Sequence, residues 1–383
     1  TSNIISRILR RMIKVFHTKL FWLLTWLAVF AWVILACVPA QAPQPTAEVA
    51  EPAPVEAHEA EHEDEHEDEA EMAELEPVSL GPGEKLQVVA TTNIVAHVVS
   101  QIGGDAIHLT GLLPIGVDPH TYVPTPQDVA AVADAHIIFA NGANLEADFL
   151  PELTQDVEAP VIHISHGIEF REFGEAHEHE HEGEEHEHEA EGHHYHEEID
   201  PHTWTTPANV LVFVRNVEHA LSAFDPANAQ SYAANAKAYE AELEALDEWV
   251  KAQIETVPAE NRELVTDHTA FGYYADRYGL EQIGAVIPAF STAAQPSAQE
   301  LAALEDVIRE YGVKAVFVGT TVNPALSEQV AGDTGIQLVT LYTGSLGPEG
   351  SDVETYIAYT CYNTVAIVEA LGGTVDVAGS PCE

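Results

Sequence analysis

The chain alternates, twice over, between short β-rich apolar segments and stretches with helical spacing. Leu86–Ala90, Ile107–Leu113, Ala135–Ala140 and Val161–Ile164 read as strands. Ile94–Ile102 and Pro126–Ala133 read as helices among them, and a further helix runs from Pro207 to about Phe224. The pattern returns with strands at Leu264–Thr266, Ile283–Ile287, Ala315–Val318 and Leu338–Leu341. Helices at Ala270–Tyr278, Ser297–Tyr311, Pro324–Thr334 and about Val353–Leu371 accompany them. Strands alternating with helices require parallel sheets covered on both faces. Between the two sets, Tyr232, Ala236, Tyr239, Leu243, Leu246 and Val250 recur at steps of four and three, the apolar stripe of a helix. Asp225-Pro226 reads as its start, with the aspartate as N-cap and the proline at the first helical position. A run to about Thr256 gives a length on the order of 45 Å. The expected fold is α/β: two lobes, each a parallel sheet flanked by helices, joined by one long rigid helix. The N-terminal lobe is expected at 85–224, the linking helix at 225–257 and the C-terminal lobe at 258–383, and 383 residues suffice for two cores.

At the amino end, Arg7, Arg10, Arg11, Lys14 and Lys19 precede an uncharged apolar run from Leu20 to Ala36. That is the layout of a secretory signal. The run ends in Ile34-Leu35-Ala36-Cys37, which resembles the lipobox of bacterial lipoproteins and makes Cys37 the expected lipidation site, with 1–37 as signal peptide. An uncleaved membrane anchor is the other reading, since the run is just short of a spanning helix. Both place the rest of the protein outside the cytoplasmic membrane. Residues 38–84 are rich in proline, alanine and glutamate, with His58, His62 and His66 among the acids. Too little apolar surface is available there to offset the ordering entropy, so the segment reads as a disordered tether.

The formal net charge is -49, from 14 Lys+Arg against 63 Asp+Glu. Nucleic acid is excluded as a partner, because phosphate binding needs basic patches. Cations suit such a chain. Two five-residue motifs repeat one another: Asp118-Pro119-His120-Thr121-Tyr122 and Asp200-Pro201-His202-Thr203-Trp204. Proline fixes its own φ and holds the preceding residue extended, so each histidine projects from a stiff turn. A third histidine, His268, stands just after the strand Leu264–Thr266, in Thr266-Asp267-His268. Strand carboxyl ends are where ligands collect in open α/β sheets. Three imidazoles with one vertex left over make a zinc-type donor set, so His120, His202 and His268 are the expected metal ligands.

From about Lys85 onward the chain resembles the cluster A-I solute-binding lipoproteins of bacterial zinc and manganese ABC importers, the zinc type in particular. The resemblance rests on Ala90-Thr91-Thr92-Asn93-Ile94, Gly116-Val117-Asp118-Pro119-His120 and Ile199-Asp200-Pro201-His202. It continues through Thr266-Asp267-His268 with Tyr274 and Gly279, then Gln295-Pro296-Ser297 and Leu341–Gly347. It implies an extracytoplasmic, lipid-anchored monomer. Such a protein captures Zn2+ between its lobes and delivers it to the membrane permease of an ABC importer. Manganese is the lesser expectation, because His268 stands where manganese-type members carry a glutamate. Many members supply a fourth ligand as an aspartate where this chain has Gly344, so three histidines with water or a borrowed carboxylate are expected here. Glu349, Asp352 and Glu354 are the nearby candidates. Gly344→Asp is expected to strengthen metal binding unless the backbone there needs glycine's φ range.

The His/Glu-rich run within 175–198 matches a loop that zinc-type members carry before the second ligand. It reads either as a zinc-gathering or level-sensing loop or as an inconsequential low-complexity insertion. With Cys37 lipidated, Cys361 and Cys382 are left as a pair in an oxidising compartment, and a disulfide is expected; two free thiols are the alternative. Two rivals to metal delivery stand beside it. One is a zinc hydrolase, although no His-Glu-x-x-His motif places a general base by the metal; the other is an adhesin-like surface lipoprotein.

Overall fold

A computed structural model of the protein describes residues 75–172 and 199–383. The signal segment with Cys37, the tether up to residue 74 and the His/Glu-rich stretch 175–198 lie outside the described residues. In the N-terminal lobe, β1 (Leu86–Ala90), β2 (Ile107–Gly111), β3 (Ile137–Ala140) and β4 (Val161–His163) form a parallel sheet in the order β2-β1-β3-β4. In the C-terminal lobe, β5 (Glu263–His268), β6 (Glu281–Ile287), β7 (Ala315–Gly319) and β8 (Gln337–Leu341) repeat that order as β6-β5-β7-β8.

Side-chain alternation explains why both faces of each sheet are covered. Along β1, Leu86, Val88 and Ala90 enter the main core while Val89 enters a second cluster with Leu112, Val132 and Phe149. Along β7, Ala315 and Phe317 face the main core and Val316 faces a third cluster with Leu304 and Val330. A period of two sends successive residues to opposite faces, and both faces are apolar as a parallel sheet demands.

Helices α1 (Asn93–Gly103), α2 (Pro126–Ala133), α3 (Leu150–Thr154) and α4 (Pro207–Phe224) belong to the first lobe. The long helix α5 (Ala229–Ile254) follows, and α6 (Gly272–Tyr278), α7 (Ala298–Tyr311), α8 (Ala325–Thr334) and α9 (Tyr356–Ala370) belong to the second. The stripe Tyr232, Ala236, Tyr239, Leu243, Leu246 and Val250 is buried. It packs α5 on α1 and α4 of one lobe and on α6 and α9 of the other, so one rod is common to both. Its 26 residues span about 39 Å.

The start of α5 differs from the sequence expectation. Asp225 does not cap it; the helix begins at Ala229, after Asn228. Asp225 instead ends α4, its N–H donating to Leu221 O at 2.9 Å. Its buried carboxylate accepts from Asn228 Nδ2 at 2.7 Å and from the Tyr232 hydroxyl at 2.9 Å. The Asp-Pro pair therefore braces the turn between two helices rather than opening the second. Packing also begins upstream of Lys85: Leu75, Val78 and Leu80 lie against the core, and Val78 N donates to Phe224 O at 2.9 Å. At the other end, Cys361 on α9 is bonded to Cys382, with Cα atoms 5.7 Å apart. Trp249 Nε1 of α5 donates to Asp376 O at 2.8 Å, so the tail is tied to two helices. Among the described residues no helix is long and apolar enough to cross a membrane.

Candidate metal centre

In each sheet the strand order reverses beside the first strand, so the crevice for a ligand opens at the carboxyl ends of β1 and β3, and of β5 and β7. His268 is the last residue of β5. His120 comes from the loop after β2 and His202 from the segment between β4 and α4.

The two Asp-Pro-His motifs fold alike. Asp118 Oδ1 accepts the His120 N–H at 3.0 Å, and Asp200 Oδ1 accepts the His202 N–H at 3.0 Å. An aspartate that bonds the backbone two residues ahead makes a compact turn, and proline between the two stiffens it. Asp267 does the same work for its neighbour: Oδ1 accepts the His268 N–H at 2.7 Å while Oδ2 accepts the Gly319 N–H of β7 at 2.6 Å. These three aspartates brace the candidate ligands, and reading for ligands alone passes over them. The signal that finds them is an aspartate one or two places before each histidine.

Two of the aspartates also set the tautomers. Asp200 Oδ1 lies 2.8 Å from His202 Nδ1, and Asp267 Oδ1 lies 2.7 Å from His268 Nδ1. A carboxylate only accepts, so in the neutral rings Nδ1 carries the proton and each Nε2 presents a lone pair. His202 Nε2 is 3.1 Å from His268 Nε2 and 3.1 Å from His120 Nε2. The bare lone pairs of His202 and His268 repel at that separation unless a cation lies between them. Two nitrogens on a tetrahedral ion with bonds of about 2.05 Å stand roughly 3.3 Å apart, close to the spacing seen.

A proton is a poor substitute for that cation here. His202 and His268 are 1% and 3% exposed. Burial, reinforced by the neighbouring His202 and His268, holds His120 well below the ordinary histidine range. Burial also lowers His202, against the opposing pull of Asp200. Trp204 stands edge-on to His202 at 5.3 Å between ring centroids, and Phe290 lies at 6.4 Å. Apolar walls of this kind exclude water and strengthen electrostatic contact inside.

The donors come from both lobes, and direct hydrogen bonds close the lobes around them. Ser345 Oγ accepts from Gly116 N at 2.8 Å and from Asn93 Nδ2 at 3.1 Å, while Leu346 N donates to Asn93 Oδ1 at 2.9 Å. The Thr292 hydroxyl donates to Asp118 Oδ2 at 2.6 Å, and Trp204 Nε1 donates to Thr343 O at 2.9 Å. Gly344 sits inside this seam. Its φ is not in the left-handed range, but a Cβ there would lie 2.8 Å from Pro119 Cδ. Among the described residues no carboxylate oxygen lies within 4.8 Å of all three histidine donors, so Glu349, Asp352 and Glu354 do not join the group.

Residues 88–370 match the family described as ZnuA, the periplasmic zinc-uptake complex component A. The manganese-binding lipoprotein MntA of Halalkalibacterium halodurans is 32% identical over 292 residues, covering 76% of this chain and 89% of that protein. The manganese ABC transporter substrate-binding lipoprotein PsaA of Streptococcus pneumoniae serotype 4 is 31% identical over 297 residues, covering 76% and 90%. The solved structure of the periplasmic zinc binding protein TroA from Treponema pallidum superposes with a TM-score of 0.66 at 28% identity, covering 75% of this chain and 99% of that one. Two sheets of the same strand order on a shared helix and a match over residues 88–370 lead to one conclusion: the chain belongs to the zinc-uptake complex component A family.

Proposed function

We propose that the protein is the extracytoplasmic substrate-binding component of an ABC importer, capturing Zn2+ between its lobes and delivering it to a membrane permease. His120, His202 and His268 are the ligands, each through Nε2. The chain is not an enzyme: its relatives are substrate-binding proteins, and the hydrolase reading falls with that. In this account the protein is a monomer held to the membrane by a lipid on Cys37.

The observation that carries the reading is the convergence of three Nε2 atoms, two of them with Nδ1 held by buried carboxylates. A ring so oriented is a better donor to a metal. A group of three imidazole nitrogens, which no carboxylate of the described residues joins, favours zinc over the harder manganese ion. Manganese capture is the second reading, favoured by the names of the relatives at 31% and 32% identity. Calorimetric titration of the metal-stripped protein with each ion separates the two. Zinc should bind more tightly than manganese, and His202→Ala and His268→Ala should each abolish the tight zinc site. Manganese binding tighter than zinc overturns the choice of metal, and tight zinc binding retained in both variants overturns the ligand set.

A further inference from the structure

Arg171 is a rare cation in a chain with 14 Lys+Arg against 63 Asp+Glu, and it meets two carboxylates from different lobes. Its Nε donates to Asp276 Oδ2 at 2.6 Å, and its Nη1 donates to Asp200 Oδ2 at 3.3 Å. Asp276 lies on α6, the helix that follows His268. Asp200 is fully buried, and its other oxygen, Oδ1, faces both the backbone N–H and Nδ1 of His202. Arg171 thus holds one oxygen of the carboxylate whose other oxygen holds His202.

The surroundings are built for this contact. The Asp200 N–H donates to Arg171 O at 2.8 Å, and Glu172 pairs with Ile199 beside it. The Tyr273 hydroxyl accepts from Arg171 N at 3.1 Å and donates to Asp200 O at 2.9 Å. A Cβ on Gly272 would fall 1.7 Å from Arg171 Nη1 and 2.9 Å from Asp200 Oδ2. The φ of Gly272 is not in the left-handed range, so this glycine makes room for the guanidinium rather than for a turn.

We propose that Arg171 is a positioning residue for metal capture: by gripping Asp200 on one lobe and Asp276 on the other, it makes closure of the lobes set the orientation of His202. The inference rests on the metal-capture reading and extends it. A planar guanidinium can serve two acceptors at fixed angles, which an ammonium cannot. With the guanidinium displaced, the buried Asp200 loses a charged partner and the imidazole it orients loses a fixed support.

Two substitutions test the two arms in the full chain. Asp276→Asn takes the charge out of the tie to the second lobe at a side chain that is 64% exposed, leaving a neutral acceptor there and Arg171 beside Asp200. Gly272→Ala crowds the guanidinium at 1.7 Å and Asp200 Oδ2 at 2.9 Å, breaking their contact without removing either charge. The readouts are zinc release to a chelator, the visible spectrum of the Co2+-loaded protein and the melting temperature without metal. Gly272→Ala should release zinc roughly 10–100-fold faster than the native protein, and Asp276→Asn, which weakens an exposed ion pair, about 2–5-fold faster with the native metal-free melting temperature. The cobalt bands should shift in Gly272→Ala. A native release rate in either variant, or unshifted bands in Gly272→Ala, overturns the proposal and leaves metal capture standing. Faster release in Asp276→Asn that merely tracks a lowered metal-free melting temperature overturns it too, because Arg171 is then only structural. Tight zinc retained by both His202→Ala and His268→Ala would instead overturn the ligand set on which the proposal rests.

Discussion

Gly344 and Pro119 face each other across the lobe seam so closely that a Cβ on Gly344 would stand 2.8 Å from Pro119 Cδ. Real carbon contacts begin near 3.5 Å, and proline's ring cannot swing aside as a flexible chain can. A side chain at 344 therefore opposes closure before it can offer a ligand. The structure reverses the expectation drawn from the family pattern: Gly344→Asp should weaken zinc binding, by about tenfold for each 1.4 kcal/mol of closure lost. Gly344→Ala, which offers no ligand, should weaken it as well. Calorimetry on the two variants checks this, and tighter zinc binding in Gly344→Asp would show that the seam yields.

Protons compete with the metal for each Nε2. Burial holds His120 and His202 below the ordinary value of 6.5, so the competition sets in below that pH. The zinc-induced rise in melting temperature, which follows from binding to the folded state alone, should survive at pH 6.5 and shrink by about pH 5. Loss already complete at pH 6.5 would contradict the buried site. A rise undiminished far below the histidine range would mean that carboxylates hold the ion.

His97 on α1 presses edge-on against Tyr239 of α5, with ring centroids 6.2 Å apart. Burial lowers it from 6.5 to about 4. Its folded value lies below its unfolded one, so the unfolded chain takes up the proton first as pH falls. Stability from this group is intact above 6.5 and is lost progressively down to about 4, a loss on the order of 3 kcal/mol. In the metal-free protein, His97→Phe should flatten the acid side of the stability profile. Urea unfolding at about pH 7 and pH 4.5 compares the two slopes; identical slopes would show that His97 titrates normally in the fold.

The disulfide between Cys361 and Cys382 closes a loop with a sequence separation of 21. In the chain-entropy model such a loop stabilises by roughly 3 kcal/mol. Cys382→Ser should lower the unfolding free energy by about that amount and leave zinc affinity unchanged, since neither cysteine belongs to the histidine group. Denaturant titration and calorimetry on the same variant read both effects.

Much of the architecture was legible because local signals and burial agree. The helices Pro126–Ala133 and Pro207–Phe224 have the expected ends: proline stands in the first turn of each, after a threonine cap. The start of α5 was not, since Asp-Pro carries the same signal whether it opens a helix or braces a turn. Asp225 is committed to Asn228 and Tyr232. The grouping of the three histidines was legible from the repeated Asp-Pro-His motif and from the position of His268 after a strand. Arg171, Thr292 and Ser345 were not. Their partners Asp276, Asp118 and Asn93 lie 105, 174 and 252 residues away, and no local pattern encodes such a meeting. Space at Gly344 is likewise a property of the closed seam, invisible until Pro119 arrives opposite.

The central claim is that one metal ion is held by His120, His202 and His268. Anomalous diffraction from zinc-loaded crystals at the zinc edge tests it most directly. The account predicts a strong peak in the cleft at about 2.0–2.1 Å from each of the three Nε2 atoms, with no protein carboxylate bonded to it. A cleft peak that bypasses any of the three histidines, or one with an aspartate or glutamate directly coordinated, would contradict it.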